Sequence, residues 1–263
     1  MTPLVSRVAV AAALLPLVLG LVWLGGWWLF GLLLAGGLLA LHELYGMARG
    51  LRPVVLGGYV GLALTLLGAQ LGGPEWLLGG ILATLPAALL VFFISSARQN
   101  AAAGLATTVL GVAWVGGGLS LVVLLRDIPV DGRLLVFTTL LTVFADDTFA
   151  FVVGRAIGRH RLAPAISPAK SWEGFVAGTL AAVGVAFFAL YEQDVLTSGE
   201  AVVLGVVIAL AATLGDLFES AVKRDLAVKD SGRLLGGHGG VLDRIDSLLW
   251  AGPAAYFALL ALT

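Results

Sequence analysis

The chain has 263 residues, 60% of them hydrophobic and only 12% charged, with a formal net charge of −1 and a mean hydropathy of +1.04. A water-soluble domain carries about 25% charged residues, so this chain is too poor in polar groups to face water alone, and its solvent is lipid. It has no cysteine, which excludes disulfides, thiolate catalysis and cysteine-ligated zinc; its charge, without a basic tail or acidic run, gives no basis for a nucleic-acid partner.

A membrane-crossing helix needs about 20 mostly apolar residues. In chain order, the segments that qualify are 8–24, 27–46, 54–71, 77–94, 104–125, 134–153, 172–190, 201–218 and 247–262, which predicts an all-α polytopic membrane protein of about nine transmembrane helices. The first segment follows Arg7 as a signal peptide would, but it is long, has no small-residue cleavage pattern and runs on to another apolar span, so it is expected to remain as a helix. Turn signals separate the spans at Gly25-Gly26, Pro53, Gly72-Gly73-Pro74 and Asp131-Gly132. With 36 glycines, the spans are suited to close packing through small residues. No linker or repeat divides the chain, so 1–263 is expected to be one membrane domain, with N-terminal spans in 1–133 and the polar motifs in 134–263.

Nine spans place the termini on opposite sides. One side then holds only Arg126 and Arg133, and the other all the remaining lysines and arginines of the 15. The lysine- and arginine-rich side is cytoplasmic, which predicts the N-terminus inside, the C-terminus outside and an active site at the cytoplasmic face.

Two cytoplasmic loops, 154–173 and 216–246, hold most of the polar functionality. The spans that feed them carry Asp146, Asp147, Asp216 and Glu219. Carboxylates at membrane depth are costly and normally face a polar cavity with a partner; for Asp147 the plainer alternative is an ion pair that packs helices. Asp216, Glu219, Ser220 and Lys223 are spaced i, i+3, i+4, i+7, which puts two carboxylates, a hydroxyl and an ammonium on one helical face. A salt-bridged helix end would explain these charges alone, but it leaves residues 229–246 without a reason. There Lys229, Asp230 and Ser231 open a stretch in which Gly236, Gly237, Gly239 and Gly240 surround His238, and Asp243, Arg244 and Asp246 come next. Such a loop can cradle phosphate oxygens with backbone N–H groups. The i, i+3 pair Asp243 and Asp246 suits an oxygen-liganded divalent ion, and Lys223, Arg224, Lys229 and Arg244 supply charge for phosphate. Together these parts suit metal-assisted phosphoryl or nucleotidyl transfer.

The stretch S-A-V-K-R-D-L-A-V-K-D-S-G-R-L-L-G-G-H-G-G-V-L-D-R-I-D, residues 220–246, resembles the signature of the phosphatidate cytidylyltransferase (CDP-diglyceride synthase) family. Two further stretches agree: D-T-F-A-F-V-V-G-R at 147–155 is similar to the family's D-[ST]-G-A-Y-x-x-G-[KR], and L-A-P-A-I-S-P-A-K-S-W-E-G at 162–174 to L-A-P-x-[IV]-S-P-x-K-T-W-E-G. The likeness covers the C-terminal half; the first five spans share only their apolar character. Phe149 and Phe151 stand for the usual Gly and Tyr, Ser171 for Thr, and Gly236 where Pro is common. None of these changes removes a charged group.

The resemblance implies an inner-membrane enzyme of phospholipid biosynthesis that converts CTP and phosphatidic acid into CDP-diacylglycerol and pyrophosphate with Mg2+, a monovalent cation and a homodimer being left open. Residue by residue, it implies Asp147, Asp216, Asp243 and Asp246 at the metal; Lys223 in catalysis; and Ser167, Lys170, Ser220, Arg224, Lys229, Asp230, His238, Gly239, Gly240 and Arg244 toward phosphate and substrate, with Ser167 and Lys170 expected on the opposite wall from the glycine-rich loop. A hydrogen bond from His238 to the departing pyrophosphate and a role as loop anchor are equally open. His42 and Glu43 are expected to be structural. The alternatives are a CTP-dependent lipid kinase or a cytidylyltransferase for another lipid phosphate, and, from another class, an ion-coupled transporter. A transporter needs polar residues that continue to the outer side, and the first five spans are almost uncharged.

Overall fold

A computed structural model describes residues 15–95, 100–232 and 239–263. Its contacts divide the chain into two units, one made of Met1–Leu124 with Leu226–Ile245 and the other of Leu125–Asp225 with Asp246–Thr263. The described residues that flank the glycine-rich stretch thus group with the N-terminal spans, a division that the linear order of motifs does not suggest.

The first unit begins with α1 (Leu15–Leu24), followed across Gly25 (φ 68°) by α2 (Gly26–Met47), α3 (Val55–Ile94) and α4 (Ala101–Arg126). As a straight rod, the 40 residues of α3 would reach about 60 Å, twice the hydrocarbon core. The rod is broken at Gly73 (φ 71°, ψ −153°), with Pro74 opening the second half, a place where the missing proline N–H costs nothing. The halves fold back on each other: Gly57 lies against Ala88, Gly61 against Thr84, Gly80 against Thr65 and Gly68 against Trp76. An added Cβ on Gly57 would sit 2.6 Å from the Cα of Ala88, so the glycines are what let the backbones touch. Thr65 and Thr84 give their hydroxyls to carbonyls one turn earlier, at 2.8 and 3.1 Å, leaving no bare donor in the apolar contact. A π-helical turn at Val112–Gly116 interrupts α4. The Tyr45 hydroxyl donates to the Thr108 carbonyl at 2.9 Å, tying α2 to α4.

The second unit is built from α5 (Gly132–Ile157), a hairpin of β1 (Arg161–Ala163) and β2 (Ser167–Ser171), α6 (Trp172–Leu190), α7 (Ser198–Asp225) and α9 (Leu248–Leu262). The short helical turn α8 (Leu242–Ile245) belongs to the first unit. Asp131 caps α5 by accepting from the Leu134 N–H at 3.3 Å, and Ser171 caps α6 by accepting from Gly174 at 3.2 Å. Thr197 and Glu200 form a reciprocal capping box on α7. The two antiparallel strands pair Arg161 with Ser171 and Ala163 with Ser167, a small β element in a fold otherwise of the expected all-α class. α5 and α6 pack through Gly154, Gly174 and Gly178.

Among the described residues, seven helices are long and apolar enough to cross a membrane, and the broken α3 is one of them. Their outward faces carry large apolar side chains, such as Phe144 at 71% and Phe188 at 77% exposure. So many exposed apolar groups fit a lipid solvent, and the chain is a multi-pass membrane protein.

Candidate active site

The polar interior of the second unit is a cavity of about 780 Å³, within the roughly 300–1,000 Å³ usual for ligand pockets. α5 contributes Asp146, Asp147 and Arg155, the hairpin Arg161, Ser167 and Lys170, and α7 Thr213 and Asp216. The side chains come from rigid helices and from a hairpin whose far end, Ser171, is fixed as the cap of α6. Arg224, near the end of α7, donates to the Ile166 carbonyl at 3.3 Å and so holds the hairpin tip.

Two ion pairs involve side chains of α7. Lys170 Nζ lies 2.8 Å from Asp216 Oδ2, with the side chains 24% and 31% exposed. Ser220 Oγ donates to the other oxygen of Asp216 at 3.3 Å. One turn on, Lys223 Nζ meets Glu219 Oε2 at 2.8 Å. The face Asp216, Glu219, Ser220, Lys223 thus forms as the spacing predicts, with Lys223 engaged by Glu219 on the same helix. Asp147, Ser167, Lys170 and Asp216 are brought together in the cavity. Asp146, Thr213, Arg155 and Arg161 line it as well, although sequence reasoning gives none of them a site role.

The described ends of the glycine-rich stretch, 229–232 and 239–240, lie in the first unit. Asp243, on α8, accepts the Ser231 N–H at 3.2 Å and the Gly240 N–H at 2.8 Å. The Gly240 N–H, expected to face a phosphate, is therefore donated to a carboxylate of its own loop. Gly239 has φ 82°, and a Cβ there would meet Asp243 Oδ2 at 2.6 Å, which explains the glycine. Lys229, Asp230 and Arg244 are exposed. Asp246 lies in the turn after α8, 9% exposed. His238 lies outside the described residues.

The oxygen-only carboxylates suit a hard divalent cation. Among the described residues no three metal-binding side chains converge closely enough to hold an ion unaided.

Apolar helices surrounding a cavity of paired carboxylates and cations define a class: integral membrane proteins with an interior site for charged ligands. Within that class, the chain belongs to the cytidylyltransferase family, whose model matches residues 5–262. It is similar to a phosphatidate cytidylyltransferase of Mycobacterium leprae, 45% identical over 160 residues, or 59% of this chain and 49% of that protein. A protein of the same name from Haemophilus influenzae is 44% identical over 130 residues, 48% and 45% of the two chains. Another from Staphylococcus haemolyticus is 35% identical over 229 residues, 86% of each chain. The chain thus spans about half the length of the mycobacterial and Haemophilus relatives and most of the staphylococcal one.

Proposed function

We propose that the protein transfers the cytidylyl group of CTP to phosphatidate, giving CDP-diacylglycerol and pyrophosphate for phospholipid synthesis. The observation that carries this reading is the cavity in which Lys170 is paired with Asp216 beside Asp147, Arg155 and Arg161, at the ends of apolar helices in a chain of this family.

The reaction forms one P–O bond and breaks one. A phosphate oxygen of phosphatidate attacks the α-phosphorus of CTP in line, and the bond from that phosphorus to the bridging oxygen breaks, so that pyrophosphate leaves. The nucleophile is already an anion, so no strong base is required; alignment and charge neutralisation carry the catalysis. Magnesium, which one or two of Asp147, Asp216 and Asp246 would hold with its waters beside the substrate phosphates, would supply neutralisation of the triphosphate. Lys170, Arg155 and Arg161 bind phosphate oxygens, and Ser167 and Ser220 add hydroxyl donors. Lys170 exchanges its contact with Asp216 for one with phosphate, freeing a carboxylate oxygen as it takes up the anion. Lys223 is oriented by Glu219, and Arg224 keeps the hairpin tip in place. Asp243 as a further metal ligand, and Lys229, Asp230, Gly239 and Arg244 as substrate contacts, are carried over from the signature.

The same reading takes the lysine- and arginine-rich loops as cytoplasmic. It places the protein in the inner membrane with nine crossings, the halves of α3 counting as two. The test is purified protein in phosphatidate-containing liposomes with labelled CTP and magnesium. A lipid-soluble cytidine nucleotide formed with an equal amount of pyrophosphate is expected. Label appearing only as phosphorylated lipid, or no product from phosphatidate while another lipid phosphate reacts, would refute the assignment.

A further inference from the structure

α2 carries three ionisable side chains, His42, Glu43 and Tyr45, in an otherwise apolar helix. His42 is exposed and bonds the Tyr59 hydroxyl at 2.8 Å. Glu43 is 5% exposed. Its Oε2 accepts the Ser231 hydroxyl at 3.2 Å and the Leu242 N–H at 2.9 Å, across 188 and 199 residues of sequence. Its Oε1 has no hydrogen-bond partner among the described residues. Gly232 and Gly240 press against the same carboxylate: a Cβ on Gly232 would meet Glu43 Oε1, and one on Gly240 would meet Glu43 Oε2 and Ser231 Oγ. Ser231 is held at both ends, its hydroxyl by Glu43 and its N–H by Asp243.

A buried carboxylate is expensive, and an apolar residue of similar size is often as stable or more so. Packing alone therefore gives no reason for Glu43. Its contacts do: they fall on both shoulders of the glycine-rich stretch, Ser231 before it and Leu242, the first residue of α8, after it. We propose that Glu43 is a positioning residue for the reaction, a clamp on α2 that fixes Ser231 and the start of α8 and thereby the carboxylate of Asp243. This rests on the reading of the loop as part of the nucleotidyl-transfer apparatus. The clamp explains why Gly232 and Gly240 lack side chains, since a methyl group at either would fill the place of the carboxylate.

The test compares Glu43→Ala, Glu43→Gln and Ser231→Ala with Asp243→Asn, in kcat, KM for CTP and magnesium dependence. A single cysteine at Val241 of the cysteine-free chain reports loop order through its rate of maleimide labelling. Loss of a buried charge-assisted contact predicts a fall of about ten- to a hundred-fold in kcat/KM for Glu43→Ala, borne mainly by kcat, with a raised magnesium requirement and faster labelling at 241. Glu43→Gln keeps an acceptor for Leu242 and Ser231 and should recover most of the activity. Ser231→Ala removes one of the two contacts and should cost less than Glu43→Ala. Wild-type kcat/KM in Glu43→Ala would overturn the clamp. So would a Gln variant as impaired as Ala with unchanged labelling, which would point to a direct chemical role for the charge. If Glu43→Ala does not fold, full activity and unchanged labelling in both Glu43→Gln and Ser231→Ala overturn it instead. An inactive Asp243→Asn beside fully active Glu43 variants refutes the clamp alone; a fully active Asp243→Asn refutes the reading of the loop on which it rests.

Discussion

Replacing Lys170 with alanine separates the two interactions that its position offers the ammonium. In the structure it stands 2.8 Å from Asp216, with both side chains partly exposed. At that separation two unit charges attract by about 1.5 kcal/mol in water and about 6 kcal/mol at an effective dielectric constant near 20. Desolvation cancels much of this, leaving about 1–2 kcal/mol for a pair between the exposed and buried limits. With substrate bound, the same ammonium meets a phosphate oxygen, a charge-assisted contact of about 1.5–3 kcal/mol, or roughly ten- to 150-fold in rate. Lys170→Ala is therefore expected to lower the unfolding temperature by a few degrees and kcat/KM by that factor. In an Asp216→Asn background the same substitution should leave stability almost unchanged, because the pair is already broken. The assay is conversion of labelled CTP into lipid-soluble product over a grid of CTP and phosphatidate concentrations, with thermal unfolding of the four proteins of the cycle. Wild-type kcat/KM for both substrates would remove Lys170 from the site. An activity loss that only tracks the loss of folded protein would reduce it to a structural ion pair.

Asp246→Asn and Asp243→Asn should each cut turnover by orders of magnitude and shift the magnesium titration to higher concentration, since an amide is a poor ligand for a hard cation; normal magnesium curves with near-normal turnover would refute the metal assignment. Asp243→Asn should also lower stability by about 1 kcal/mol, because one amide oxygen replaces two carboxylate oxygens facing Ser231 and Gly240. Gly73→Ala should cost about 1–3 kcal/mol of stability, since only glycine tolerates φ 71° with ψ −153°, without changing turnover per folded molecule; wild-type stability would show that the α3 hairpin does not need that backbone. Single cysteines at Ala165 and Gln193 should label only from the cytoplasm and only from outside, respectively; the reverse pattern would invert the proposed orientation.

The helices are legible in the sequence because a membrane allows few alternatives: an apolar run of sufficient length can satisfy its backbone only as a helix or a closed barrel. The break in α3 is legible too, since Gly72-Gly73-Pro74 combines a free backbone with a missing donor. The hairpin at 161–171 is not. Its strands of three and five residues have no alternating pattern and carry a proline, so 154–173 reads as loop. Asp216, Lys170 and Asp147 stand out through their motifs, whereas Asp146 has no motif position, because it precedes the D-T-F-A-F stretch by one residue. Adjacent residues on a helix point about 100° apart, and only the curvature of a cavity can take in both. Glu43 is the least legible. A carboxylate near the end of an apolar helix reads as interfacial, and no local spacing connects it with groups almost 200 residues away.

The presence of a β-hairpin in the second unit is explained by where the charges lie. Asp147 and Asp216 sit on helices, where backbone hydrogen bonds fix the Cα positions but restrict what can approach from the side. A cation on a neighbouring helix must replace apolar packing, and a lysine or arginine at membrane depth is itself costly. A hairpin between α5 and α6 removes that conflict. It starts and ends at the polar edge, its N–H and C=O groups satisfy one another, and Lys170 on β2 extends to Asp216 without taking a helical position. The glycines of the adjoining helices serve the same end: Gly154, Gly158 and Gly174 bring α5, Ser171 and α6 within direct contact, so the hairpin is held at its base by packing and at its tip by Arg224. Rigid helices thus fix the carboxylates while a tethered hairpin supplies the movable cation, an arrangement suited to an anionic ligand that must enter against three carboxylates and leave as two products.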